Sequence, residues 1–323
     1  MTHPTREQLH QMAQEKSGEL VQLVSELIQI PSENPTGSQR PVVDFVENYL
    51  KAAGIPYEET GNNPEFPCIV AKLGSDEGFS VILNGHLDVV PAGDRSQWDF
   101  KQILGRGTSD MKAGVAGLLF AMKILKESGA ELRGNIRLHL VSDEESGGEY
   151  GSTWLCEHGY AEKADACLIA EPTSSNDIEI GQKGGLHIVL KAAGKSAHGS
   201  LGGFKGDNAI LKMAKVLDKL PRLATIEGHF KDSQRHALEN SIRSTEEKVG
   251  EPGSGEVIRH VSANVGLISG GTRPNMVPDY CEATVDVRLP IGVDHQEIVD
   301  MLDSIIAECG VEGILSRDIQ RDA

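Results

Sequence analysis

The chain has 323 residues, of which 39% are hydrophobic and 24% charged, with a formal net charge of −17. That length exceeds what one hydrophobic core usually serves, so two domains are expected, of ordinary globular composition. The acidity argues against a nucleic-acid partner, since no basic field exists to release counterions, but not against acidic substrates, because bound divalent cations would reverse the local field.

The N-terminal stretch MTHPTREQLHQMAQ is polar and lacks the apolar centre of a signal peptide. No apolar run approaches the length of a bilayer span, so a cytoplasmic location with no membrane partner is expected. Five cysteines (Cys68, Cys156, Cys167, Cys281 and Cys309) follow no C-x-x-C spacing, which speaks against a disulfide framework. Cys68 and Cys167 stand in apolar, strand-like runs and are expected in the core. None has a base or helix start beside it that would make it a nucleophile.

Residues 17–30 place Leu20, Leu23, Val24, Leu27 and Ile28 at helical spacing, with Pro31 as the stop. Residues 41–53 form a second expected helix carrying Val42, Val43, Phe45, Val46 and Leu50, closed by Gly54. Residues 55–60, 68–73 and 81–83 read as strands. Residues 111–127 read as a helix capped by Ser109 or Asp110 and ended by Gly129. Gly114 and Gly117 cost that helix propensity, which points to close approach of another backbone. A strand at 136–141, a helix at 151–158 and an apolar strand at 166–170 follow. Strands alternating with helices predict an α/β domain with a largely parallel sheet over residues 1–181.

His86 and Asp88, Glu144 and Glu145, and Glu171 each lie just beyond the C-terminal end of an apolar strand. Ligands of open α/β sheets bind at that edge. Alone, each has a bland reading as a loop or surface residue. Together, and with Asp110, they predict a metal centre. His86 and Asp88 are two positions apart in extended chain and point the same way, which suits a metal-binding imidazole steered by its own carboxylate. A two-metal hydrolytic site uses imidazole and oxygen ligands and a carboxylate bridging ions about 3.5–4 Å apart. In extended chain Glu144 and Glu145 would point apart, one to a metal and one to the attacking water. Zinc is the expected ion for such ligands, with cobalt or manganese able to substitute.

The segments GHLDVVPAGD, GRGTSDMKAG, SDEESGG, AEPT and GKSAHGS, in this order, resemble the zinc aminoacylase and carboxypeptidase family. That family includes acetylornithine deacetylase, succinyl-diaminopimelate desuccinylase and glutamate carboxypeptidase. The resemblance spans residues 28–288. It implies a zinc-peptidase catalytic domain with a ferredoxin-like α+β lid. It also implies that His86 and Glu171 hold one zinc, Glu145 the other, and that Asp110 bridges them. Asp88 would orient the imidazole, and Glu144 would be the general base.

From residue 182 the character changes, and a second domain is expected over 182–320. Residues 186–193 read as a strand, 207–220 as a helix and 262–269 as a strand. Residues 280–289 alternate strictly, with Cys281, Ala283, Val285, Val287 and Leu289 on one face, as in a half-exposed antiparallel strand. A helix at 295–307 turns Ile298, Met301, Leu302, Ile305 and Ile306 inward, and 311–315 reads as a last strand. The order β-α-β-β-α-β is ferredoxin-like. It resembles the family's lid, whose helix and edge strand make a homodimer. Residues 221–260 show no strong period and receive no chemistry. By resemblance His198 stabilises the oxyanion, Asn275 binds substrate and Arg288 grips the substrate carboxylate. From residue type alone they are a loop histidine, a turn asparagine and an arginine paired with Glu282 or Asp286.

Two departures from the family stand out. After Trp98, Asp99 and Phe100 the chain passes directly through Lys101 and Gln102 to the GRG motif, where family members have roughly ten more residues. No histidine lies beyond His295, whereas the family's chain returns to the catalytic domain and adds a last histidine ligand. The expectation is a fragment of a longer chain, or else a natural short form. The expected function is a metal-dependent amide hydrolase acting on a small N-acyl amino acid. The alternatives are a dipeptidase or carboxypeptidase acting on short peptides, or an inactive dimeric metal-binding protein.

Overall fold

In the computed structural model, residues 4–35, 37–92, 105–173, 177–312 and 315–321 are described. The chain divides into two units, Met1–Ile178 and Glu179–Ala323. Among the described residues, no helix is long and apolar enough to cross a membrane.

In the first unit, helix α1 (Arg6–Glu15) is closed at its start by a capping box between Thr5 and Gln8. It has no buried residue, which is why hydrophobic spacing does not announce it. Helices α2 (Ser17–Gln29) and α3 (Arg40–Ala52) bury the expected stripes, Leu23 and Leu27 on one and Val42, Val43, Val46 and Leu50 on the other. Strands β1 (Tyr57–Thr60), β2 (Cys68–Gly74) and β3 (Phe79–His86) follow, then α4 (Lys112–Ser128), β4 (Gly134–Val141), the short α5 (Trp154–Glu157) and β5 (Ala166–Ile169). The sheet order is β1-β2-β4-β3-β5. β3 runs parallel to β4 and β5, while β1–β2 and β2–β4 are antiparallel, so the sheet is mixed. The parallel part is the part that carries the site. α4 supplies the long crossover that a parallel pair requires.

The core of this unit gathers Leu27, Val43, Leu50, Leu119, Leu138 and Leu140. Gly114 explains itself: a Cβ there would overlap the Ala170 carbonyl, whereas nothing stands near Gly117. The expected caps of α4 are not used. Its N-cap is Met111, with no side-chain cap bond, because the Asp110 carboxylate is turned to His86 instead. Burial of Cys167 is a second correction. All four residues of β5 are exposed, with Leu168 at 53% and Ile169 at 57%. Apolar runs mark a strand but not its place in the sheet, and β5 is an edge. The 98–102 stretch lies outside the described residues.

The second unit contains β6 (Gly184–Ala193), β7 (Ala197–His198), α6 (Ala209–Leu217), α7 (Arg235–Val249), β8 (Ser262–Gly270), β9 (Met276–Val277), β10 (Tyr280–Leu289), α8 (His295–Glu308) and β11 (Leu315–Arg321). Its main sheet has the order β11-β6-β10-β8, every neighbour antiparallel. With α6 and α8 as the crossovers, this is the ferredoxin-like arrangement. The strict alternation of β10 appears as burial of Cys281, Ala283, Val285, Val287 and Leu289. α8 opens on Asp294, which forms a capping box with Glu297. The last strand is later than expected, starting where the 311–315 run ends. α7 falls in the 221–260 region that shows no strong period, because it buries only Leu238 and Ile242, one turn apart.

Candidate metal centre

His86 ends β3 and is 2% exposed. Its backbone N–H donates to Met111 Sδ (3.0 Å), joining the strand end to the start of α4. Its Nδ1–H donates to the Asp88 backbone carbonyl at 2.8 Å. A carbonyl only accepts, so Nδ1 keeps its proton, and Nε2, the nitrogen free to give its proton up, faces the other way. There Nε2 meets Asp110 Oδ1 at 3.0 Å, Glu171 Oε1 at 3.2 Å and Glu144 Oε2 at 3.8 Å. Two donor groups result, His86–Asp110–Glu171 and His86–Glu144–Glu145, each with its ligand atoms within 4.8 Å of one another. Every residue singled out in the first domain as a metal ligand therefore converges on one imidazole.

Asp88, fully buried, does more than steer the ring. Its Oδ1 lies 3.4 Å from His86 Nδ1, farther than the backbone carbonyl does. The same carboxylate accepts the Glu144 N–H (3.2 Å), the Glu145 N–H (3.0 Å) and the Asn34 amide (2.9 Å). It thus holds the turn that presents both glutamates. That turn, Glu144–Ser146, is a 3-10 turn and not the extended chain expected. Gly147 and Gly148 follow it with φ of 106° and 70°, a left-handed pair that lets the chain leave the site.

The electrostatics ask for a cation. Burial works against a charged His86, yet Asp88 and Glu171 outweigh it and lift its pKa to about 11. Burial would raise Asp88, but its bonds to His86 and Asn34 hold it below the usual carboxylate range. Glu144 and Glu145 are pushed up, chiefly by burial and then by neighbouring carboxylates, with His86 opposing. One imidazole facing Asp110, Glu144, Glu145 and Glu171 leaves an excess of negative charge that a single ring proton offsets only in part. This nitrogen and oxygen donor set fits zinc, cobalt or manganese.

Three supporting residues escape a reading of the sequence. Lys112 is 1% exposed, and its Nζ donates to Leu27 O (3.1 Å), in the last turn of α2, and to Ile30 O (2.6 Å), at its C-cap. Burial pulls its pKa down to about 8, with Asp88 pulling the other way. Asp143, beside the two glutamates, accepts the Tyr150 N–H at 2.7 Å. Asn34 bridges Asp88 and Ser146. The one available signal was a charged residue opening an apolar helix, in the case of Lys112.

In the second unit the three singled-out residues are exposed. His198 Nδ1 accepts the Ser200 N–H (3.3 Å) and meets Ser200 Oγ (2.7 Å), which leaves the ring proton on Nε2. The pairing of β7 with β9 and the bond from Gly199 N–H to Asn275 O (2.7 Å) bring His198 and Asn275 to one corner. Arg288 Nε donates to Asp286 Oδ2 at 3.1 Å, the local pairing its residue type implies.

The model of Peptidase family M20/M25/M40 matches residues 82–319. A probable succinyl-diaminopimelate desuccinylase of Staphylococcus epidermidis is 30% identical over 310 residues, covering 93% of this chain and 74% of its own. An N-formyl-4-amino-5-aminomethyl-2-methylpyrimidine deformylase of Bacillus subtilis is 28% identical, with coverages of 92% and 69%. Among solved structures, an M20 family metallo-carboxypeptidase of Sulfolobus solfataricus superposes with a TM-score of 0.72 at 20% identity, covering 93% of this chain and 77% of its own. A dinuclear metal-binding peptidase of the M20 family from Bacillus subtilis gives a TM-score of 0.59 at 13% identity, with coverages of 95% and 74%.

Proposed function

The chain belongs to peptidase family M20/M25/M40, a family of metal-dependent amidohydrolases, and from that premise we propose that it removes an acyl group from a small N-acyl amino acid. The observation that carries the reading is the convergence of Asp110, Glu144, Glu145 and Glu171 on His86. The named activities of the two sequence relatives, a desuccinylase and a deformylase, both release an acyl group from nitrogen and support the deacylase over the peptidase reading.

Two divalent cations, zinc first, would be held by His86, Asp110 and Glu171 on one side and by Glu145 with a shared Asp110 on the other. When bound, they supply Lewis acidity, polarising the scissile carbonyl and acidifying water. Glu144 accepts the proton of the attacking water and returns it to the leaving amine. The burial that raises its pKa improves it as a proton carrier. Asp88 and the bond from Nδ1–H keep His86 in the tautomer that offers Nε2. His198 donates its Nε2–H to the developing oxyanion, Asn275 binds substrate, and Arg288 exchanges Asp286 for the substrate carboxylate. The second unit joins two copies into a homodimer, and the protein works in the cytoplasm.

The test is hydrolysis of N-succinyl, N-acetyl and N-formyl amino acids, with dipeptides alongside. Turnover of at least one acylated substrate, abolished by a chelator and restored by zinc, is expected. A rate indifferent to chelation, or turnover of dipeptides alone, would refute the reading.

A further inference from the structure

The segment 31–35 between α2 and α3, which opens on the Pro31 stop, is laid along the chain just past β3. Ser32 Oγ donates to Leu87 O (2.7 Å), Val89 N–H to Ser32 O (3.0 Å) and Asn34 N–H to Val89 O (2.9 Å). The rail carries Asn34 into the interior, where it is 3% exposed. Its Nδ2 donates to Asp88 Oδ2 and to Ser146 Oγ, each at 2.9 Å. Ser146 Oγ in turn donates to Asp143 O (3.2 Å). The other half of the amide is spent on nothing: Asn34 Oδ1 is buried with no hydrogen-bond partner among the described residues. An orphaned buried acceptor is costly, so this amide is a poor choice for stability alone.

We infer that Asn34 is a positioning residue of the metal centre, whose amide ties Asp88 to Ser146 and thereby sets where the Glu144–Glu145 turn stands relative to His86. Asp88 alone holds the start of the turn, through the Glu144 and Glu145 N–H groups. Asn34 adds the grip on its far end at Ser146, so the turn is held at both ends against one carboxylate. Without it, the turn pivots on Asp88, and the His86–Glu144–Glu145 group loosens. The His86–Asp110–Glu171 group, built from the start of α4 and the end of β5, keeps its shape.

The inference rests on the functional reading above, and zinc titration of metal-free protein separates the two. Wild type should take up zinc in two steps. In Asn34→Ala one step should weaken by about tenfold to a hundredfold, the size seen when partners of metal ligands are removed, and the other by less than about threefold. Once loaded, the variant should lose kcat by a similar factor with KM nearly unchanged. Ser146→Ala, at an exposed position, should weaken the same step by a smaller factor, and it decides the matter if Asn34→Ala does not fold. A variant that melts earlier but keeps both zinc affinities and kcat would show Asn34 to be structural only and overturn the inference. Failure of wild type itself to bind zinc would instead overturn the functional reading, and this inference with it.

Discussion

The two units carry their candidate residues in opposite ways. In the first, His86 and Asp88 are buried, and Asp88 alone accepts three N–H donors, so the cluster is held in shape by the protein. In the second, His198, Asn275 and Arg288 are exposed and their partners are local, Ser200 and Asp286. A cation site must be built before the ion arrives, because its carboxylates repel one another and need fixed donors to stay together. A substrate grip has no such need, since its own charge pairs are exposed and cheap to exchange. Changes in the first unit should therefore strike chemistry, and changes at Asn275 and Arg288 in the second should strike binding, with His198, the oxyanion donor, the exception.

Glu144→Gln breaks the comparison most severely if it is wrong. The change keeps size and removes the proton acceptor, so kcat should fall by about 10²–10⁴-fold while zinc content stays at the wild-type level. An undiminished rate would remove Glu144 from its assigned role. Arg288→Ala sharpens the other side: KM should rise by about tenfold to a hundredfold, the loss of one charge-assisted interaction. Its melting temperature should hold, because the exposed Arg288–Asp286 pair contributes about 0–1 kcal/mol. A fall in kcat with KM unchanged would place Arg288 outside substrate binding.

The smallest effect is in pH. In metal-free protein the His86 pKa of about 11 lies above the 6.5 of an unperturbed imidazole. Protonated His86 therefore stabilises the fold in full below about pH 6.5, and that contribution is lost as pH rises towards 11. Zinc must displace the same proton, so its binding strengthens with pH. The gap in melting temperature between zinc-loaded and metal-free protein should widen from pH 6 to pH 9. A gap that stays flat would mean that His86 carries no proton when the ion is absent.

Much of this contrast was legible in the chain itself. His86, Glu144 and Glu171 each follow an apolar strand, and a parallel sheet delivers strand ends to one edge, so their convergence could be foreseen without coordinates. Asn34 could not, because its partners lie 54 and 112 positions away and it stands between two expected helices with no element of its own. Lys112 hid in the same way, its acceptors being backbone carbonyls at the end of α2 and its C-cap, which carry no side-chain signature. The 3-10 turn at Glu144 is set by Asp88 and the two glycines, a tertiary cause that local propensity does not register. The 166–170 run reads correctly as apolar but not as buried, since period says nothing about which strand is the edge. α7 failed on strength of signal, with two buried positions in fifteen residues.

The most direct measurement is zinc binding by chelator-stripped wild type beside His86→Ala, followed calorimetrically at pH 8. His86 is assigned to one of the two cations and stands in both donor groups, so wild type should bind tightly with release of a proton, and the variant should lose at least the binding step that His86 serves. Zinc uptake by the variant equal to that of wild type, or none by wild type, would contradict a cation centre built on this imidazole.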